Sequence, residues 1–350
     1  MEWEEYNKCY KIEEYTKCMT KEERNEAEKY ARSFYEENLP VIFSLEHFGI
    51  LTENDVEFIE RVCCNSAQYY KRFEIPKRNG GLRAIAAPVK RLKRLQRWIN
   101  DNILAKRYVS PFAKAYMKKR SVKDNACFHI GQKKLLCMDL EDFFPSIKKK
   151  QIVTVFIKAG YREDIANILT SICCLDGALP QGAPTSPALS NIIASKMDRR
   201  IADYVESLKI RYTRYADDLA FSGEFNSVRL VKGITRIANR YGFVVNSEKT
   251  KIKLPHQCQE VTGIAVNEKM QVLRKKRREL RQKVYYIKRF GADSQAQRAE
   301  DETLHYLRSL LGSISYAVYI NPKDKELENY RLYIKEQIKI YEKKKYNRKT

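Results

Sequence analysis

Histidine is scarce in this sequence, four in 350 residues. No Cys/His set has the ligand spacing of a zinc site. Cysteine occurs nine times, an odd number with no CxxC pair, which points to neither a zinc knuckle nor a disulfide framework. Reduced, mostly buried thiols of a cytosolic protein are expected instead. No uninterrupted apolar stretch is long enough to span a bilayer. The acidic start, Met1-Glu2-Trp3-Glu4-Glu5, lacks the basic-then-apolar order of a signal peptide. No repeat or low-complexity segment stands out. Acidic residues are also short: 44 Asp+Glu against 67 Lys+Arg leave a formal net charge of +23. Solubility alone needs no such excess. A polyanionic partner does, because each cation near a phosphate releases condensed counterions.

What is present is a packed globular chain. Hydrophobic residues make up 43%, and the length suits two or three subdomains in one body. Residues 1–55 read as short helices, with a weak apolar face from Ile42, Leu45 and Ile50 and no chemistry. Between Tyr69 and Pro88, Phe73 and Ile75 alternate with polar residues, Asn79-Gly80-Gly81 is a turn, and Leu82, Ala84 and Ala86 alternate again. That pattern predicts a β-hairpin. Lys90–Arg97 carries five basic residues and no acidic one, with an apolar stripe of Leu92, Leu95 and Trp98. The run Leu135-Leu136-Cys137-Met138 predicts a strand buried on both faces. Helices are expected near Lys150–Ala159 and Arg162–Cys173. Another begins at Pro187, capped by Ser186. Ile210–Ser222 reads as two strands folded around Ala216-Asp217-Asp218, with a helix over Ser227–Tyr241. From Gln271 the chain reads as helical. Arg274–Arg289 holds nine basic residues and one acidic residue. The element order gives the α+β class, with a central sheet carrying helices on one face.

Three carboxylates stand out. Asp139 ends an apolar strand, and Asp217 and Asp218 sit at the tip of a tight hairpin. An Asp-Asp pair is usually a solvated turn, but the strand-like flanks here hold the pair rigidly. Carboxylates in apolar surroundings need compensation, and a pair of divalent cations supplies it. In phosphoryl transfer two metals about 4 Å apart activate the attacking oxygen and stabilise the leaving one.

Tyr215-Ala216-Asp217-Asp218 resembles the signature box of reverse transcriptases. Asp139-Leu140-Glu141-Asp142-Phe143-Phe144-Pro145-Ser146-Ile147 resembles their first palm motif, and Leu179-Pro180-Gln181-Gly182-Ala183-Pro184-Thr185-Ser186-Pro187 the next. Asn246 with Lys249-Thr250 resembles the fourth. The box alone is a weak signal; the ordered set, over about residues 70–320, is specific. Asn125-Ala126-Cys127-Phe128-His129 resembles the NAxxH insertion of bacterial retron enzymes, and Val261-Thr262-Gly263 their VTG triplet. A retron reverse transcriptase is therefore preferred over a group II intron-like or other bacterial relative. A rival of another class is a nucleic-acid-binding scaffold that restrains an effector.

The resemblance implies a right-hand polymerase fold with fingers, a palm of antiparallel sheet backed by helices, and a helical thumb. It divides the chain into an N-terminal helical segment (1–55), fingers with the NAxxH insertion (56–133), palm (134–267) and basic thumb (268–350). Asp139, Asp217 and Asp218 would be catalytic and hold two Mg2+ ions, for which Mn2+ can substitute, with the Leu140 carbonyl as a backbone ligand. Asp142 would be either an accessory carboxylate or a cap. Phe144 would be the steric gate against a 2′-hydroxyl, the alternative being a core aromatic. Gln181 and Gly182 would meet the incoming nucleotide, Gly182 by letting the backbone come close. Arg83 would grip the triphosphate, assisted by Lys77, as its planar fork suits phosphate. Lys249 would protonate the leaving pyrophosphate or be a solvated lysine. Asn125, His129, Val261, Thr262 and Gly263 would recognise RNA, with His129, oriented by Asn125, either in the core or on the RNA. Arg274, Lys275, Arg277, Arg278 and Arg281 would follow the duplex by charge and shape. The implied partners are dNTPs, a cognate structured non-coding RNA, the branched msDNA product and a separate effector protein. No membrane is implied, and the implied location is the bacterial cytoplasm.

Overall fold

A computed structural model describes residues 1–76 and 80–347. Lys77 and the Asn79 end of the expected turn lie outside the described residues. Strands β1 (Tyr70–Pro76) and β2 (Leu82–Pro88) form the expected hairpin, paired from Tyr70↔Pro88 to Pro76↔Leu82. A four-stranded sheet contains β3 (Lys134–Leu140), β4 (Arg211–Tyr215), β5 (Asp218–Gly223) and β6 (Val245–Lys253), in the order β4-β5-β3-β6. Three short strands, β7 (Glu260–Val261), β8 (Ile264–Ala265) and β9 (Gln271–Val272), make a third sheet. Helices supply most of the rest, among them Lys149–Ile157, Glu163–Cys173, Ser186–Glu206 and Ser227–Arg240. The class is α+β, as expected.

Four expectations need correction. The helical C-terminal region begins at Arg274, because Gln271 and Val272 pair with Ala265 and Ile264. The helix expected from Pro187 starts at Ser186, and the Ser186 hydroxyl donates to the Pro180 carbonyl at 2.7 Å rather than capping from outside. Strand β3 buries Leu135 on one face and Leu136, Met138 and Leu140 on the other, as expected, but Cys137 and Asp139 are only half-buried. The thiols are free, yet Cys9, Cys18, Cys64, Cys127 and Cys258 are exposed.

Contacts divide the chain into two units. The first comprises Met1–Tyr116, Asp139–Tyr204 and Val228–Ser247. Residues 39–43 are buried in its core and, among the described residues, lie in no strand. Tyrosine hydroxyls satisfy their backbone instead. Tyr6 donates to the Leu39 carbonyl at 2.6 Å and accepts from Val41 N–H at 3.1 Å, and Tyr161 donates to the Pro40 carbonyl at 2.7 Å. Burial pushes both phenols well above their usual range. Ile42 is buried, but Ile50 is exposed because the helix Leu45–Thr52 turns His47, Phe48 and Gly49 inward.

The second unit comprises Met117–Met138, Val205–Ser227 and the chain from Glu248 onward. Its core gathers Leu135, Ala220, Val261, Ile264, Val272 and the helical stripe Leu280, Val284 and Ile287. Helices Arg274–Phe290, Thr303–Ile320 and Lys325–Asn347 belong here.

Candidate active site

The β4–β5 hairpin carries the acidic pair. Tyr215 pairs with Asp218, leaving Ala216-Asp217 as a two-residue loop. Ala216 has φ +58, a left-handed conformation that costs an L-residue about 1–2 kcal/mol. Asp217 is half-buried and Asp218 exposed, whereas Tyr212, Thr213, Arg214 and Leu219 to Gly223 are buried. The carboxylates therefore stand on a tip whose stem is packed on both sides. A buried histidine crosses that stem. His129 lies 2.7 Å from Ser222 Oγ through Nδ1 and 2.8 Å from Thr213 Oγ1 through Nε2. It joins β4 to β5 from the Cys127–His129 turn.

In the sheet order β3 is the neighbour of β5. Asp139 is the penultimate residue of β3. By the two-residue period of a strand it shares a face with Cys137. Burial pushes the Cys137 thiol up to about 12, with the Asp218 carboxylate adding to the effect. Among the described residues no three His, Cys, Asp or Glu side chains form a ready-made cation cage. The donor chemistry nonetheless fits a hard cation, which takes carboxylate oxygens and leaves positions for phosphate and water. Asp142 is exposed with φ +41 and makes no capping bond at the helix Phe143–Ser146, so it is not a cap.

The residues expected around a nucleotide fall into two groups. Ala86 N–H donates to the Gln181 carbonyl at 2.9 Å. A Cβ on Gly182, at φ +135, would come within 2.6 Å of the Ala86 carbonyl. Gln181 and Gly182 are thus tied to β2, the strand that carries exposed Arg83. The close approach that demands glycine is to the hairpin. Phe144 is half-buried between Phe143, with centroids 5.6 Å apart, and Tyr116, at 6.2 Å. Lys249 is exposed on β6. Lys77 lies outside the described residues.

The expected RNA-reading residues are mostly buried. Asn125 and Val261 are in the core, as is His129, so their side chains have no surface for direct contact. Asn125 does not orient His129. Its amide donates to Thr262 Oγ1 at 3.4 Å, while its Oδ1 is buried without a partner. Thr262 (φ +47) and Gly263 (φ +83) are the two loop residues between β7 and β8. A tight hairpin with both central residues left-handed favours glycine strongly and a β-branched residue hardly at all. The Asn125 bond helps hold threonine there. On the helix Arg274–Phe290, Arg277 pairs with Asp324 at 3.0 Å and Glu326 at 2.6 Å, and Arg281 pairs with Glu326 at 2.9 Å. The Tyr330 hydroxyl, then Arg281 and Arg277, hold the Glu326 carboxyl below its usual range against the effect of burial. Arg274, Lys275 and Arg278 are exposed.

Residues 75–306 match the family "Reverse transcriptase (RNA-dependent DNA polymerase)". The chain is 39% identical over 255 residues to the retron Ec86 reverse transcriptase of Escherichia coli, covering 71% of this chain and 79% of that one. The chain belongs to the bacterial retron reverse transcriptases. It is also 36% identical over 281 residues to the retron Mx65 enzyme of Myxococcus xanthus, covering 74% of this chain and 63% of that one. As a retron reverse transcriptase it is an RNA-directed DNA polymerase of the right-hand fold, with a nucleic-acid template and dNTPs as substrates. The family works with divalent metal ions. No helix among the described residues is long and apolar enough to cross a membrane. Two parts of this retron enzyme's site escaped the sequence reading. Tyr116 beside Phe144 carries no motif, although its φ is +60. Arg214 is fully buried, and nothing in Thr213-Arg214-Tyr215 marks it so.

Proposed function

We propose that this chain recognises a cognate structured non-coding RNA, primes from a guanosine 2′-hydroxyl within it, and extends DNA to a branched RNA–DNA hybrid. In this reading residues 56–133 are fingers, 134–267 palm and 268–350 thumb, with residues 1–55 packed into the core of the first unit. Asp139, Asp217 and Asp218 hold two Mg2+ ions, replaceable by Mn2+, with the Leu140 carbonyl as a further ligand. When bound, such ions activate the attacking oxygen and stabilise the leaving one. The observation that carries the reading is the hairpin: Asp217 in its two-residue loop and Asp218 opening β5, on a stem of buried residues, in a chain of retron lineage.

The remaining residues position substrate. Arg83, with Lys77, grips the triphosphate. Gln181 and Gly182 line the nucleotide on the side of β2. Phe144 excludes the 2′-hydroxyl, and Lys249 faces the leaving pyrophosphate. Exposed Arg274, Lys275 and Arg278 follow the phosphates of the RNA. The Thr262-Gly263 turn, set by Asn125, presents backbone to it. The product stays bound in the bacterial cytoplasm and acts with a separate effector protein in anti-phage defence.

The test is Asp217→Asn and Asp139→Asn. Losing one cation ligand removes charge stabilisation in the transition state and should slow DNA synthesis by at least ~10³-fold. RNA binding should remain. Near-wild-type extension by either variant would rule out the two-metal assignment.

A further inference from the structure

Among the described residues Arg214 is the largest fully buried side chain. It stands one residue before the Tyr215-Ala216-Asp217-Asp218 box, opposite Leu219 in the hairpin. A guanidinium with no exposed surface cannot grip template or nucleotide. It is also costly to bury unless its N–H groups are matched. One of its hydrogen bonds runs from Nη1 to the Ala216 carbonyl at 3.1 Å. Ala216 is the left-handed residue of the catalytic loop, at φ +58. Its carbonyl shares one rigid peptide plane with the Asp217 N–H. Holding that oxygen therefore fixes the plane from which the Asp217 side chain departs. Glycine would accept the same φ without strain, whereas alanine holds it only at a cost. Alanine with a buried clamp gives a single loop conformation.

We propose that Arg214 is a positioning residue for polymerisation, clamping the Ala216 carbonyl so that the strained loop presents Asp217 in its cation-binding orientation. The proposal rests on reading Asp217 as a cation ligand. Arg214 acts through the loop and touches no substrate. A lysine at 214 keeps the charge but loses the planar fork that reaches the carbonyl.

The experiment compares wild type, Arg214→Lys, Ala216→Gly, the double variant and Asp217→Asn as full-length protein on an annealed primer–template. Bound Mn2+ is read by electron paramagnetic resonance without nucleotide, and kcat and KM for dNTP are measured in parallel. Arg214→Lys should bind primer–template normally and keep its KM. Its Mn2+ affinity should fall, and kcat should drop on the order of 10²-fold, as for a misplaced reacting group. Adding Ala216→Gly should restore part of both losses, since glycine takes the positive φ without help. Wild-type Mn2+ affinity and kcat in folded Arg214→Lys would overturn the proposal. So would a kcat loss that only tracks the folded fraction while Mn2+ affinity stays intact, or a double variant with no recovery. If Arg214→Lys does not fold, Ala216→Gly alone decides. Unchanged Mn2+ affinity supports the clamp, because Arg214 still holds the carbonyl of a residue that takes this φ freely; weakened affinity overturns it, because the clamp then fails to fix the loop. Asp217→Asn separates the two levels. If it binds Mn2+ and extends normally, the two-metal reading fails; if it loses both while Arg214→Lys is normal, only the role of Arg214 fails.

Discussion

The chain builds two antiparallel hairpins and puts them to opposite physical uses. In β4–β5 the middles of both strands are packed, Tyr212 to Arg214 and Leu219 to Gly223, while Asp217 and Asp218 stand open at the tip and Arg211 at the far end. In β1–β2 nearly the whole arm is exposed, including Phe73, Ile75 and Leu82 at 49%, 38% and 57%. One hairpin is rigid because its surroundings hold it, through His129, Arg214 and the sheet. The other is held by its own ladder and by the Ala86–Gln181 bond. A cation site needs fixed oxygens, and the packed stem supplies them. A surface that meets a changing nucleotide needs accessible side chains, and the exposed arm supplies those. Substitutions in the first should therefore cost stability and catalysis together, and in the second only substrate affinity.

The sharpest way to break that contrast is His129→Ala. The side chain is buried and bonded to Thr213 and Ser222 on both strands of the catalytic hairpin. Its removal leaves a cavity and unmatched hydroxyls, worth about 2–4 kcal/mol of stability. Initiation on the cognate RNA and extension of a generic annealed primer should fall in parallel, with a lower melting temperature. If melting and generic extension survive while cognate initiation is lost, His129 serves RNA recognition and the hairpin is held by other means.

Arg83→Ala probes the exposed arm. Arg83 is solvent-facing opposite Ile75, so melting should not change. Loss of a charge-assisted bond to phosphate is worth roughly 1.5–3 kcal/mol, which raises KM for dNTP about tenfold or more. A drop in stability with unchanged KM would show that β1–β2 is structural like β4–β5.

Much of this was legible in the sequence, for physical reasons that also mark where it stopped. Alternation and turn residues locate the first hairpin, and strand-like flanks around the acidic pair the second, since these signals are local. The carboxylates follow from their motifs. Burial of individual side chains is not local. Nothing near Asn125-Ala126-Cys127-Phe128-His129 indicates that His129 reaches hydroxyls more than 80 residues away on β4 and β5. The glycine at 182 was legible as a close approach, but its neighbour, the Ala86 carbonyl, came from another element. That Cys137 is only half-buried was hidden because cysteine counts as apolar. The nine cations of Arg274–Arg289 read as one basic surface, yet helix spacing alone could not show that Asp324 and Glu326 would face two of them.

That last division carries the distinction between held and exposed groups onto a single helix, and salt dependence measures it. Arg274, Lys275 and Arg278 are exposed, whereas Arg277 and Arg281 are engaged with acids at the start of Lys325–Asn347. A cation that neutralises a phosphate releases condensed counterions, and its loss lowers the slope of log affinity against log salt by about one. A cation already paired within the protein releases few. Arg278→Gln should therefore weaken binding to cognate and unrelated RNA alike and flatten the slope by about one unit, with no change in melting. Phosphate contacts position a nucleic acid but carry little sequence information. Arg277→Gln should leave the slope nearly unchanged and cost roughly 1–2 kcal/mol of stability, by stranding the half-buried Asp324 and Glu326 carboxylates. Equal slopes lost by both variants, with equal melting, would mean that the Asp324 and Glu326 pairs open when RNA binds and that the whole helix face lies on the backbone.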